Sequence, residues 1–93
     1  MIRRATQELT IELDAKAIGR RIAAARRSKR WRQADLATAV RVKEGTVANW
    51  EGGWRIPPIR ALVGLAVQLR RSIDWIVAGC PKRGQLYRMA KRN

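Results

Sequence analysis

Apolar residues recur at helical spacing in five short sets along this chain, and helix stops follow the third set, at Gly52-Gly53, and the fifth, at Gly79 and Pro81. The clearest set follows two prolines, whose fixed φ suits a first helical turn, and it consists of Leu62, Leu65, Ala66 and Leu69. The first predicted helix begins after Asp14 and ends near Arg30, and the second begins at about Gln33. The third runs from about Glu44 to Trp50 and the fourth begins after Pro57-Pro58. The fifth runs from Ile73 to Ala78 behind a Ser72 cap. Short helices with short connections predict a compact all-α domain of five helices.

Charge is the next constraint. The chain has 93 residues and a formal net charge of +14, from 21 Lys and Arg against 7 Asp and Glu. This length makes one domain, and a hydrophobic fraction of 46% is enough for a single core. So large an excess of base predicts a polyanionic partner, and nucleic acid is favoured over a membrane surface. The longest mostly apolar run has seven residues, Ala61 to Val67, far below the roughly 20 that cross a bilayer.

Residue types that catalysis and metal binding need are scarce. The chain has no histidine, and a single cysteine, Cys80, excludes an intramolecular disulfide and multi-cysteine zinc sites. The few acids are scattered and offer no nucleophile–base pair. We therefore expect no enzymatic activity, no metal, no cofactor and no small-molecule substrate, in a protein of the reducing cytoplasm.

The bases cluster in two stretches that contain no acid. Residues 20–32 hold seven bases, and residues 82–93 hold five more. We divide the chain into an N-terminal arm (1–14), a helical domain (15–79) and a basic C-terminal tail (80–93). The end segments leave alternatives open: a short strand or a loose arm at Leu9 to Leu13, and, in the tail, either a basic segment on phosphates, a disordered end, or a sixth helix carrying Leu86, Met89 and Ala90.

The second and third predicted helices have the lengths and the short turn of a helix-turn-helix. In that motif the first helix crosses the DNA backbone and the second lies in the major groove, which is wide enough for one α-helix. The inner face that fixes the angle between them would be formed by Leu36, Ala37, Val40, Val42 and Val47. A generic helical hairpin inside a bundle is the alternative that short helices alone do not exclude.

The same residues resemble the Cro and lambda-type phage repressor helix-turn-helix family, also called XRE. The resemblance covers about residues 17–79 and rests on Gln33-Ala34-Asp35-Leu36-Ala37, Val42, Thr46-Val47, Trp50-Glu51, Gly53, Pro57 and Ser72-Ile73-Asp74-Trp75-Ile76. It implies a five-helix, lambda-repressor-like domain that binds operator DNA, usually as a two-fold dimer, and regulates transcription.

Site residues follow from the resemblance and from side-chain chemistry. The base-reading stretch of relatives corresponds to Lys43, Glu44, Thr46 and Asn49. Among these, Asn49 can pair with adenine and Thr46 can touch a thymine methyl, while Glu44 either accepts from cytosine N4 or stabilises the helix start. The predicted phosphate ligands are Gln33, Arg32, Arg41 and Arg55.

Other positions have structural roles in the resemblance. Arg26 and Glu51 match a pair that bridges the first helix to the end of the recognition helix, and Trp50 and Trp75 match core residues. For Trp54 an apolar plug is favoured over a stack against a sugar.

Several positions depart from the family pattern. Arg30, Arg41 and Arg70 stand where relatives usually have glycine at helix ends, which indicates either tolerated strain or slightly different turns. Arg32 and Lys43 replace the usual Ser or Thr caps. Gly45 removes a side chain from the recognition helix. These changes exchange local helix stability for positive charge, so we expect stronger backbone affinity and poorer base discrimination than in a typical relative.

The sequence thus predicts a sequence-specific, double-stranded DNA-binding transcriptional regulator. It would act as a phage or mobile-element repressor, a homodimer on a palindromic operator, with no membrane partner, in the bacterial nucleoid or a phage-infected cell. The dimer contact is assigned either to the tail or to the fifth helix through Ile76 and Val77. The alternative function is an antitoxin-like or other protein-binding module with weakly specific DNA binding.

Overall fold

The computed structural model describes residues 13–80, and within them the chain forms five helices and no strand. The helices are α1 (Ala15–Ser28), α2 (Gln33–Val40), α3 (Glu44–Glu51), α4 (Ile59–Leu69) and α5 (Ile73–Ala78). The all-α, five-helix prediction is therefore confirmed, and the predicted ends differ by two residues at α1 and by one residue at α3. The predicted sixth helix and the strand or arm at residues 9–12 lie outside the described residues.

Side-chain caps begin two of the helices as predicted. Asp14 accepts from the backbone N–H groups of Lys16 and Ala17 at 3.0 and 3.2 Å, and Ser72 accepts from that of Trp75 at 3.0 Å. Arg32 and Lys43, which replace the usual caps, make no such bond. At α2 the carboxylate of Asp35 instead accepts from the Arg32 backbone N–H at 2.8 Å, because a guanidinium has no acceptor to offer.

One core receives side chains from all five helices. Its fully buried members are Ile18, Ile22, Leu36, Val47, Leu65 and Ile76, with Trp50 beside them. Trp75, expected in the core, is only half-buried at its rim, where the Arg71 guanidinium lies 5.2 Å from its ring centre. Because Ile76 has no exposed surface, the prediction that it forms a dimer contact is wrong.

Three exposed arginines end or follow helices in the left-handed region. Arg30, Arg41 and Arg70 have φ values of 60°, 62° and 56°. Glycine adopts this conformation without strain, whereas other residues lose about 1–2 kcal/mol there. Of the two explanations for these arginines, the structure supports tolerated strain over different turns, and each charge stays on the surface.

Candidate nucleic-acid interface

A tight turn joins α2 to α3 and holds them as one unit. The backbone N–H of Val42 donates to the Ala37 carbonyl at 2.9 Å, which closes the end of α2. Leu36 and Ala37 of α2 are buried against Val47 of α3. The apolar inner face therefore fixes the angle between the two helices, as the sequence pattern predicts.

The outer edge of α3 is uncovered. Lys43, Glu44 and Asn49 are exposed and Thr46 is half-buried, so all four predicted base-reading residues reach the surface. Because an α-helix turns 100° per residue, Gly45 and Asn49 lie one above the other, opposite buried Val47. The middle of this edge is thus one bare stretch of backbone followed by one amide side chain.

A groove of about 950 Å³ lies beside this edge, between α3, the α2–α3 turn and the start of α4. Thr46 and Asn49 line it together with Arg41, Arg55 and Arg60, and no acidic residue does. The structure thus brings two predicted base readers next to two predicted phosphate ligands. Arg32 does not line the groove and is exposed at the start of α2.

Arg60 was not among the predicted ligands. Its signal in the sequence is that it is the one charged residue of α4, in the first turn after Pro57-Pro58. A basic side chain does not suit the buried face of that helix, so Arg60 is expected on the surface, near Arg55. The sequence shows this position but not the groove that brings the two together.

A buried ion pair joins α1 to the end of α3, the helix that carries the predicted base readers. The Arg26 guanidinium donates to the Glu51 carboxylate through Nε at 2.7 Å and Nη2 at 3.0 Å, and its Nη1 donates to the Trp31 carbonyl at 2.7 Å. The two side chains are 10% and 6% exposed. The hydrogen bond to Glu51, opposed by burial and aided by the carboxylate charge, raises the pKa of Arg26 above its ordinary value. The predicted pair is therefore present in the geometry expected of it.

Gln33 joins this pair. Its Nε2 donates to Glu51 Oε1 at 3.0 Å, so the carboxylate ties α1, α2 and α3 together. An amide nitrogen has two hydrogens, and this bond uses one of them. The second hydrogen can still donate outward, so the predicted phosphate contact stays a prediction.

Gly19 determines how closely α1 approaches the end of α3. A Cβ at this position would lie 2.5 Å from the Glu51 carbonyl oxygen and closer still to that of Trp50. Any side chain here would push α3 away from α1 and strain the ion pair. Nothing in the sequence indicates this role, because a glycine inside a helix is ambiguous until the residues packed against it are known.

Trp54 follows α3 on the surface. It is 82% exposed, so the favoured prediction of an apolar plug is wrong. Its backbone N–H donates to the Asn49 carbonyl at 3.0 Å, and its indole ring lies against Gly52. Those contacts hold the ring outside the core. The alternative for Trp54, a stack against a sugar, stays a prediction.

Two helices locked at a fixed angle, the second with its outer edge uncovered beside an arginine-lined groove, define a DNA-binding domain of the helix-turn-helix class. The chain belongs to the helix-turn-helix family of XRE type: residues 22–76 match the family described as "Helix-turn-helix". It is therefore a DNA-binding transcription regulator and not an enzyme.

A solved structure is similar over the same region. It is described as "Crystal structure of the P22 c2 repressor protein in complex with synthetic operator 9T in the presence of Tl+". The two chains are 32% identical with a TM-score of 0.66, over 68% of this chain and 96% of the other. No curated protein sequence matches the chain at a significant level. Within residues 13–80, no helix combines the length and apolar character needed to traverse a bilayer.

Proposed function

We propose that the protein is a sequence-specific repressor that binds a palindromic operator as a homodimer and excludes polymerase from it. The observation that carries the proposal is the uncovered edge of α3 beside the groove of Arg41, Arg55 and Arg60. The P22 c2 repressor, which is similar in fold and sequence, is described in complex with an operator. A phage or mobile-element origin and a location in the cytoplasm, in the nucleoid or an infected cell, fit this function.

Base reading is assigned to α3. Asn49 can hydrogen bond to both N6 and N7 of an adenine, and Thr46 beside it can contact a thymine methyl group. Lys43 and Glu44, at the exposed start of the helix, would reach the adjacent base pairs. Glu44 also favours the helix start through the dipole, so its two roles are compatible.

Phosphate binding is assigned to both sides of α3. Arg41, Arg55 and Arg60 border the groove on one side, and Arg32 and Gln33 lie at the start of α2. Each guanidinium that neutralises a phosphate releases counterions, so affinity should fall steeply with salt. The bare backbone at Gly45 gives up one base contact, which shifts the balance from discrimination towards backbone affinity.

Selection of bound duplexes from a random library tests the proposal. We expect one enriched palindrome whose half-site centres are about 34–36 Å apart, the spacing of successive major grooves. Enrichment without symmetry would contradict the dimer, and no enrichment would contradict specific reading. Failure to bind any duplex at moderate ionic strength would contradict the function as a whole.

The alternative is an antitoxin-like or other protein-binding module that binds DNA with weak specificity. The observation in its favour is the exposed apolar surface of α4, where Ile59 is 72% and Val67 is 67% exposed. Capture of partners from a lysate treated with nuclease separates the two functions. A stoichiometric protein partner of different sequence, retained after nuclease, would favour the module.

A further inference from the structure

Trp54 is the largest hydrophobic side chain that is exposed among the described residues. It is 82% exposed, whereas Trp50 is 3% exposed and Trp31 and Trp75 are half-buried. The indole lies against Gly52, which has no side chain to cover it. Because tryptophan is concentrated at interfaces, where its large flat ring is buried by a partner, this ring marks a surface that meets one.

The ring is fixed at the C-terminal end of α3. The Trp54 backbone N–H donates to the Asn49 carbonyl at 3.0 Å. A Cβ at Gly52 would lie 3.0 Å from the indole Cδ1 and 3.2 Å from Nε1, so the ring rests directly on this glycine. Arg55, the next residue, lines the groove beside α3 together with Asn49. The exposed indole is therefore held next to the edge that faces the duplex in the proposed function.

The chemistry of a DNA strand narrows the contact. In the proposed function Asn49, in the middle of the α3 edge, contacts a base, and Arg55 contacts a phosphate. Trp54 lies between the two in sequence and beyond the end of the helix, where the groove is bordered by the sugar–phosphate backbone. An indole carries no charge to neutralise a phosphate. The apolar part of the backbone is the C–H surface of the deoxyribose between two phosphates, and a flat apolar ring suits it.

We propose that Trp54 packs against a deoxyribose next to the phosphate bound by Arg55 and supplies a part of the affinity that neither salt nor base sequence alters. The inference rests on the placement of α3 in the major groove under the proposed function, and it needs neither a specific operator nor a dimer. The uncharged ring releases no counterion, so its contribution is the same at every salt concentration. Every nucleotide presents the same sugar, so the contribution is also the same on every duplex.

This contact would complement the bases of a chain whose net charge is +14. Affinity that comes from counterion release falls steeply as salt rises, whereas an apolar contact does not depend on it. The share of the binding free energy that Trp54 supplies should therefore grow with salt. Trp54 and Arg55, adjacent in the chain, would contribute in ways that one salt series separates.

Titration of two labelled duplexes of unrelated sequence with the full chain, at several KCl concentrations, tests the contact. Trp54→Ala should weaken binding by about threefold to tenfold at every salt concentration, on both duplexes, with an unchanged slope of log affinity against log salt. Trp54→Phe keeps a ring but loses the indole N–H, and it should stay within about twofold of wild type. Val67→Ala removes an exposed apolar side chain outside the groove lining and is the control.

Acrylamide quenching of tryptophan fluorescence detects the contact directly. Trp54 is the most exposed of the four tryptophans, so it should account for most of the quenching in the free protein. Acrylamide is uncharged, so neither the basic chain nor the DNA attracts or repels it. We expect saturating duplex to protect the wild type from quenching and to leave the quenching of Trp54→Phe nearly unchanged.

Four results would overturn the proposal. Trp54→Ala that retains native helicity and binds like the wild type shows no DNA contact. A reduced salt slope shows that the ring acts by positioning a phosphate ligand, and a loss on one duplex alone shows contact with a base. Trp54→Phe as weak as Trp54→Ala assigns the contact to the indole N–H. A wild type that binds both duplexes equally and enriches no operator contradicts the sequence-specific function but leaves these comparisons valid, whereas failure to bind any duplex contradicts both.

Discussion

Glu51 is the residue on which the orientation of α3 depends most. Its carboxylate accepts from both Arg26 and Gln33 in a buried position, so Glu51→Ala would leave the Arg26 guanidinium buried without its anion. Removing one partner of a buried pair costs about 3–5 kcal/mol, and we expect a loss of this size in the free energy of unfolding by urea titration. Glu44→Ala, which removes an exposed carboxylate from the same helix, is the control and should change stability by less than about 1 kcal/mol.

The Arg26 side of the pair should not titrate in the neutral range. A raised pKa gives stability that is fully present below the pKa of the unfolded chain and is lost only as pH rises through the folded value. For arginine both values lie far above neutrality. A stability loss between neutral and mildly alkaline pH that disappears in Arg26→Gln, whose side chain does not titrate, would contradict this expectation.

Asn49 is the residue that should carry most of the base discrimination. It is exposed in the middle of the α3 edge, one turn beyond a glycine. A bidentate contact to adenine is worth about 1–3 kcal/mol. Asn49→Ala should therefore lower the difference in binding free energy between operator and scrambled duplex by about 1–3 kcal/mol. Titrations of both duplexes at one salt concentration measure it. Equal losses on both duplexes would remove Asn49 from the base readers.

At the scale of single helices, α3 contains a glycine, Gly45, that its packing does not require. A Cβ at Gly45 would meet nothing within 4 Å, so Gly45→Ala should raise the free energy of unfolding by about 1 kcal/mol through helix propensity alone. Gly19→Ala is the matched control: it makes the same chemical change in α1, but its Cβ would collide with the end of α3. We expect it to destabilise the domain, and equal effects of the two changes would contradict the packing described.

Substitutions at Arg41, in the α2–α3 turn, and at Arg30 test whether backbone strain at these arginines is compensated by their contribution to DNA binding. Arg41→Gly should stabilise the domain by about 1 kcal/mol, because its φ of 62° suits glycine. It should also weaken duplex binding, since Arg41 lines the groove. Arg30→Gly relieves the same conformation outside the groove lining, so it should stabilise without a comparable loss of affinity. If both variants lose affinity equally, total charge and not the Arg41 contact governs binding.

The elements were predictable because each one is specified locally. Apolar spacing, the Asp14 and Ser72 caps and the Pro57-Pro58 start each fix an element from within a few residues of it. Contacts between elements were predictable only where the resemblance supplied them, as for Arg26 and Glu51. The exposure of Trp54, the close approach at Gly19 and the full burial of Ile76 depend on how helices distant in sequence meet, and no spacing rule carries that information.

At the scale of the whole molecule, a net charge of +14 raises the question of whether any base matters individually. Long-range attraction depends on total charge, whereas counterion release depends on the bases that contact phosphates. Arg55→Ala should therefore reduce the slope of log affinity against log salt by about 0.9, equally on operator and scrambled duplex. Arg27→Ala removes the same charge from an exposed position of α1, so it serves as the control and should leave the slope nearly unchanged. If the two variants reduce the slope by the same amount, binding is governed by the overall charge, and the groove beside α3 has no special part in holding the DNA backbone.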